Sequence, residues 1–386
     1  MMERRKNLND KFGFVGKIMR KKTTLKDIAC FSKGSQINGD LLLDEGKYEY
    51  LNGGTKASGT WNEFNVNGKT ITISEGGNSC GYVNFMEEKF WCGAHCYYLF
   101  DVKCKPKYLY YLLKGNQSNL MKLRSGACMP NIKKSDLGNF KFIYDNDVIH
   151  QDKIISIFDN LTNVIYFYEK QIKYFDNLVK ARFIELFGTV RENPYKYPTA
   201  TLKEVCYKIT DGKHGGCEQE ENSGYYYIGA REIYDGKIHY DTAPQIKYTD
   251  FSKDYRRCNI EQGDMVIVNT GATIGKSAIA SSSLTERTLL QKSVALIKVK
   301  PNIISVEFLR YCYMANPSMY MVESASAQQN LLLSKINTTV IYLPPIGLQQ
   351  KFADFVHQVD KSREVVKKSL EKTQQLYDSL MQEYFG

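Results

Sequence analysis

Residues 268–277 read Val-Asn-Thr-Gly-Ala-Thr-Ile-Gly-Lys-Ser. A glycine-rich turn ending in Gly275-Lys276-Ser277 has the residue types that cradle nucleotide phosphates, with backbone N–H groups curled round the anion and a lysine reaching it. The spacing speaks against that chemistry. A phosphate loop needs four residues between its first glycine and the Gly-Lys pair, whereas Gly271 and Gly275 enclose three, and Thr270 stands where the glycine belongs. A second group, Cys92, His95 and Cys96, flanked by Cys80 and Cys104, offers possible metal ligands. Zinc sites usually show two ligand pairs at short spacing, and only one pair is visible here. The surrounding aromatics mark a buried strand, so these cysteines read as core residues and no metal is expected.

The chain carries a net charge of +10 over 386 residues, an excess that draws a protein to polyanions, of which nucleic acid is the commonest. Its 28 tyrosines offer flat faces for bases and hydroxyls for phosphates, although tyrosine also fills cores. No apolar run is long enough to span a membrane. The basic stretch 1–22 lacks the apolar centre of a secretory signal. Ten scattered cysteines fit reduced thiols, so a cytoplasmic protein is expected.

The elements that must position these residues are repeated. "TTLKDIACFSKG" at 23–34 resembles "ATLKEVCYKITDG" at 200–212, and "ELFG" at 185–188 resembles "EYFG" at 383–386. "HQDKIISIF" at 150–158 lies over "LQQKFADFV" at 348–356. The offset grows along the repeat, so the second half carries about 21 extra residues. In the first half "ISEGGNSCGYV" (73–83) takes the place of "VNTGATIGKSA" (268–278) and has no Lys-Ser. A nucleotide loop would keep its chemistry in both copies; a turn that presents variable side chains would not.

Each half ends in a segment free of Gly and Pro, 150–187 and 348–385. Phe158, Leu161, Ile165, Tyr168, Ile172, Phe175, Val179, Arg182 and Leu186 are spaced alternately by three and four, a heptad seam. The second seam is Val356, Val359, Arg363, Val366, Leu370, Thr373, Tyr377, Leu380 and Tyr384. Each seam needs a partner, and the other helix is the obvious one. The blocks before the helices are mixed. "KTITIS", "YYYIGA", "DMVIVNT" and "SVALIKVK" read as strands, "PKYLYYLLKGN" and "SVEFLRYCYMANP" as short helices.

This arrangement resembles the specificity subunit of type I restriction–modification systems. The resemblance runs from about residue 23 to the C-terminus and is carried by "GDMVIVNTGATIGKSAIA" (263–280), "LPPIGLQQKFADFV" (343–356), "YLNGGTKASGT", "ITISEGGNSCGYVNF" and "FWCGAHCYYLF". It implies an α+β protein: two pseudo-repeated mixed α/β target-recognition domains separated by two long helices that form an antiparallel coiled coil. The expected boundaries are a basic extension at 1–22, recognition domains at 23–147 and 189–347, and spacer helices at 148–188 and 348–386. It further implies a chain that binds double-stranded DNA without catalysing anything. Such a chain carries two methyltransferase subunits and, in the larger complex, restriction/translocase subunits; S-adenosylmethionine, ATP and Mg are expected on those partners. "LPPIG" has no methyltransferase chemistry, because Leu343 cannot hold an amino nitrogen and Ile346 cannot stack a base. "YDNDVIHQ" (144–151) departs from the "LPP…QQ" start at 343–350, so the first junction is expected to bend differently. The other reading of the chain is a coiled-coil adaptor without DNA binding, against which the positive charge speaks.

The family has no fixed recognition residues, so the candidates are polar and basic residues of loops, which can read base edges or hold phosphates. In the first half they are Asn52, Lys56, Asn78, Tyr82, Arg124, Ser125, Asn131 and Lys133. In the second they are Lys213, His214, Arg231, Thr270, Thr273, Lys276, Gln328, Gln329 and Asn330.

Overall fold

Alternating β-branched and aromatic residues build a four-stranded antiparallel sheet in each half. In the first half it consists of Cys30–Lys33 (β1), Thr70–Ser74 (β2), Val83–Met86 (β3) and Cys96–Phe100 (β4), in the order β1-β4-β2-β3. The apolar side of the helix Pro106–Gly115 (α1) packs on it through Tyr108, Leu109, Leu112 and Leu113, all buried with Ile71 and Ile73. The long helix Val148–Phe187 (α2) follows. The second half repeats the design with Cys206–Asp211 (β5), Met265–Val268 (β6), Ser277–Ile279 (β7) and Val294–Val299 (β8), in the matching order β5-β8-β6-β7. The helix Val306–Ala315 (α3) covers it, and the long helix Ile346–Phe385 (α4) closes the chain. The computed structural model describes residues 20–126, 130–189, 193–316 and 331–386.

Smaller features repeat too. Each sheet is preceded by a four-residue helix with a capping box, Thr24 with Asp27 and Thr201 with Glu204, which satisfies donors at the helix start. A two-stranded ribbon ties the start of each block to its end: Arg20–Thr24 pairs with Lys141–Asp145, and Thr199–Thr201 with Val340–Tyr342. A parallel pair also recurs, Tyr48–Leu51 with Phe90–Cys92 and Tyr226–Ile228 with Thr288–Leu290. The blocks differ between Ile228 and Met265. There the second carries a hairpin, Ile233–Tyr234 with Lys237–Ile238, and a helix, Tyr248–Cys258; the first has only the strand Gly59–Trp61. Most of the extra residues of the second half lie there.

The chain divides into two units, one of residues up to Glu169 with Lys368–Gly386, the other Lys170–Lys367. Each unit thus holds one block and half of each long helix. In the first, Phe158 of α2 is fully buried against Tyr377, Tyr384 and Phe385 of α4, with ring centroids 5.4, 6.0 and 5.7 Å away. In the second, Phe183 and Phe187 pack on Phe352 at 5.4 and 5.6 Å, and Arg363 pairs with Asp176 at 2.7 Å. Low numbers of one helix meet high numbers of the other, so the helices run antiparallel. Every seam position, from Phe158 to Leu186 and from Val356 to Tyr384, is buried or half-buried, while most of their neighbours in mid-helix are exposed.

The two junctions start differently and converge. Asp147 caps α2, accepting from the N–H of Ile149 at 2.9 Å and of His150 at 3.4 Å. The first turn of α4 instead follows Pro344-Pro345, the Pro345 carbonyl accepting from Leu348 at 2.8 Å. One turn in, both helices bury a glutamine. Gln151 accepts from the N–H of Lys105 at 3.0 Å and donates to the Asp145 carbonyl at 2.7 Å. Gln349 accepts from the N–H of Ser305 at 2.9 Å and donates to the Pro344 carbonyl at 2.8 Å. The side chain locks strand, long helix and short helix together in each block.

Candidate nucleic-acid interface

Ile267 pairs with Ser277 and Val266 with Ala278, so residues 268–277 close a hairpin between β6 and β7. A phosphate loop runs from a strand into a helix; this one runs from strand to strand. Its amides are taken up internally. Ile274 N–H donates to the Gly271 carbonyl at 3.3 Å, Gly275 to Val268 at 3.0 Å, and Lys276 to Thr273 at 3.2 Å. The first block repeats these bonds: Cys80 to Gly77 at 3.1 Å, Gly81 to Ser74 at 2.9 Å, and Tyr82 to Ser79 at 2.8 Å. Gly77 therefore corresponds to Gly271, Gly81 to Gly275 and Tyr82 to Lys276. All four glycines have φ between 73° and 94°, where a side chain would be strained. The backbone is a common frame on which the side chains vary.

In the first unit three loops are stitched into one surface. Ser79 Oγ donates to the Gly53 carbonyl at 2.6 Å and Asn84 Nδ2 to that of Gly54 at 3.2 Å, which fixes the loop carrying Asn52 and Lys56. Gly77 N–H donates to the Pro130 carbonyl at 2.9 Å, Ile132 N–H to Glu75 at 2.9 Å, and Ser125 and Asn131 exchange two backbone bonds of 2.9 Å. Lys56, Asn78, Arg124, Ser125, Asn131 and Lys133 are thereby brought to adjoining loops and are all exposed. Two candidates are engaged internally. Asn52 accepts from the His95 N–H at 3.1 Å and donates to Gln36 at 3.2 Å. The Tyr82 ring lies under the Lys114 ammonium, 3.7 Å away.

In the second unit the Lys213 N–H donates to the Leu290 carbonyl at 2.8 Å and the Gln291 N–H to Ile228 at 2.8 Å, joining the loops that carry Lys213, His214 and Arg231. The Lys213 ammonium is not offered outward. It sits 2.8 Å from Asp254 and 3.6 Å from Asp250, its side chain 13% exposed, and its bond to Asp254 holds its pKa above the ordinary lysine value. His214 is exposed and held by Asp211 at 2.8 Å. Although burial works against it, Asp211 stays below the usual carboxylate range because Arg257 and His214 donate to it. Arg231 and Lys276 are exposed, Thr273 half-buried, and Thr270 Oγ donates to Asn269 at 3.1 Å. Leu331 N–H donates to the Asn269 carbonyl at 2.7 Å, as residues 130–132 bond to the matching loop of the first block. Gln328, Gln329 and Asn330 lie outside the described residues.

Of the candidate ligand cysteines, Cys80, Cys92 and Cys96 are buried and Cys104 is half-buried. Cys92 and Cys96 are buried among Leu51, Val66 and Phe90, and Cys80 Sγ donates to the Glu75 carbonyl at 3.1 Å. His95 turns to Glu75 at 3.4 Å instead. Burial raises the Cys104 thiol to about 12. Among the described residues no three His, Cys, Asp or Glu side chains form a metal-binding group. Among those residues, no helix is long and apolar enough to cross a membrane.

Sequence reasoning missed Arg310. It stands in α3 among apolar residues and donates through Nε to the Ser277 carbonyl at 3.3 Å, directly behind Lys276. The available signal was the repeat itself, which sets Arg310 opposite Tyr110.

The family model for the type I restriction modification DNA specificity domain matches twice, over residues 20–174 and 194–375. A Mycoplasma genitalium protein named as a type I specificity subunit is 28% identical over 374 residues, covering 94% of this chain and 93% of its own. One from Mycoplasma pneumoniae is 27% identical, covering 94% and 95%. The crystal structure of the S subunit from M. genitalium superposes with a TM-score of 0.68 at 23% identity, covering 96% of this chain and 97% of that one. A structure described under complex assembly and conformational transition of the type I restriction–modification system gives 0.57 at 12% identity, over 96% and 99%. At those identities the likeness is one of fold. With both blocks matched and the intervening helices shared, the chain belongs to the type I restriction–modification DNA specificity family, with the specificity domain present in two copies.

Proposed function

We propose that each block of this chain reads one half of a bipartite, asymmetric DNA sequence, with an unread gap between the halves. One observation carries the reading. The two blocks share the backbone of the glycine loop bond for bond, yet it presents Asn78, Ser79 and Tyr82 in one and Ala272, Thr273 and Lys276 in the other, and the adjoining loops add Arg124, Asn131 and Lys133 in one and His214 and Arg231 in the other. Asparagine pairs with adenine; arginine and lysine pair with guanine or phosphate, so unlike sets select unlike half-sites. The chain selects and assembles, and the chemistry lies elsewhere. Two methyltransferase subunits dock around the long helices and restriction/translocase subunits join the larger complex, with S-adenosylmethionine, ATP and Mg bound by those partners in the cytoplasm.

The test is to express the chain with its methyltransferase partner and map methylated bases by single-molecule sequencing. One asymmetric bipartite motif is expected, and the purified chain should bind duplex DNA with an affinity that falls steeply with salt. Absence of both a methylation motif and duplex binding would favour the coiled-coil adaptor.

A further inference from the structure

The hairpin inserted in the second block helps to wall a pocket beside the glycine loop. Tyr234, Asp235 and Gly236 of the inserted hairpin face Gly275, Lys276 and Ser277 of the glycine loop and Arg310 and Met314 of α3, around a cavity of about 230 Å³. That volume is small for an organic ligand. Its lining is rich in donors without acceptors. Arg310 is half-buried and, among the described residues, makes no ion pair and one hydrogen bond, from Nε to the Ser277 carbonyl. Ser277 Oγ is buried and has no hydrogen-bond partner among the described residues. Lys276 is exposed and lines the same space. The acid of the lining, Asp235, faces Lys367 at 3.8 Å. Asp360 is close enough to be felt by Arg310, but its carboxylate is bonded to Arg363 at 3.0 Å. Gly236 sits at φ +75°, where a side chain is strained, and a Cβ there would also press on the Arg310 guanidinium.

In the first block other side chains stand at the matching positions. Lys114, the counterpart of Met314, donates to the Val83 carbonyl at 3.1 Å, as Arg310 does to Ser277. Its charge is covered by the Tyr82 ring, and Tyr110 stands where Arg310 does. In the second block Lys276 takes the place of that ring, so Lys276 and Arg310 line one space. A half-buried charge without a partner is costly, and a planar arginine fork beside an ammonium and a hydroxyl suits an anion with several oxygens.

We propose that this pocket binds a phosphate group through Arg310, Lys276 and Ser277. Its place on the glycine loop points to a DNA backbone phosphate, and that choice of source rests on the DNA-reading function proposed above. The test uses the full chain, with inorganic phosphate titrated by ³¹P line broadening and duplex binding measured against salt. Lys276→Met and Arg310→Met should each weaken phosphate binding several-fold and lower the duplex salt slope by about one. Weaker phosphate binding with an unchanged slope would make a free phosphate the ligand of the same pocket. A slope that falls for Lys276→Met but not for Arg310→Met would make Lys276 a surface contact and overturn the pocket, as would two variants indistinguishable from wild type in both arms. Should Arg310→Met fail to fold, Ser277→Ala takes its place. It removes a donor and no charge, so weaker phosphate or duplex binding at an unchanged slope is expected, and unchanged binding overturns the proposal. A chain that binds no duplex refutes the DNA reading and leaves the phosphate arm to decide the pocket.

Discussion

Where the loop after the first parallel strand meets the loop after its partner, the two blocks solve one packing problem in opposite ways. In the first, Asn52 reaches across to Gly93, where any Cβ would lie 2.2 Å from the asparagine Oδ1. In the second, Gln291 reaches back to Gly229, where a Cβ would lie 2.5 Å from Oε1. The backbone bond beneath is the same, Gly93 N–H to Leu51 and Gln291 N–H to Ile228, each 2.8 Å. The carboxamide and the glycine have exchanged strands. A similar exchange occurs on the long helices. Ile154 and Phe158 are buried in the first block; at the same turns the second has a buried Phe352 and a half-buried Val356. The repeat thus keeps backbone hydrogen bonds and total volume and lets individual side chains drift, as a scaffold with exchangeable readers requires.

That comparison breaks most visibly at the exchanged aromatics. Phe158→Ala should destabilise the first unit by about 3–5 kcal/mol, whereas Val356→Ala at the matching position should cost about 1 kcal/mol. Urea unfolding of the full chain, with each block followed separately, would show it; equal costs would mean that the two seams are packed alike after all. The buried glutamines should behave as equals. Gln151→Ala and Gln349→Ala each strand buried backbone groups, and each should cost about 2–3 kcal/mol. A clear difference would show that the capped junction at Asp147 and the Pro-Pro junction at 344–345 depend on the glutamine unequally. The smallest effect is expected at the exchanged loops. Asn52 is held by two further hydrogen bonds, so Gly93→Ala should cost about 1–2 kcal/mol. Gln291 can swing aside with the loss of one long bond to the Tyr227 carbonyl at 3.4 Å, so Gly229→Ala should cost less than about 1 kcal/mol.

The parts of this molecule that are periodic were legible in its sequence. The heptad steps at Leu161, Ile165 and Tyr168 correspond to a half-buried row, because a helix buries one stripe whatever lies beyond it. "DMVIVNT" and "SVALIKVK" contain the central strands β6 and β8, because β-branched runs suit a covered sheet. Tyr248–Cys258 went unread because its composition is polar and it buries only Phe251 and Cys258. The site was less legible, since its electrostatics depend on partners distant in the chain. Lys213 reads as a free loop cation until helix 248–258 brings Asp250 and Asp254 to it. Asn52 reads as a base contact until the loop at 93–95 closes on it. Arg310 lies in an apolar helical stretch, and its position behind the glycine loop comes from the packing of α3 on β7.

The central claim is that two unlike readers share one scaffold. Its most direct test replaces residues 189–347 with the second block of another family member and maps methylation in cells that also carry the methyltransferase partner. The account predicts that one half-site of the motif changes while the other is retained. A change in both half-sites, or the original motif unaltered, would contradict it.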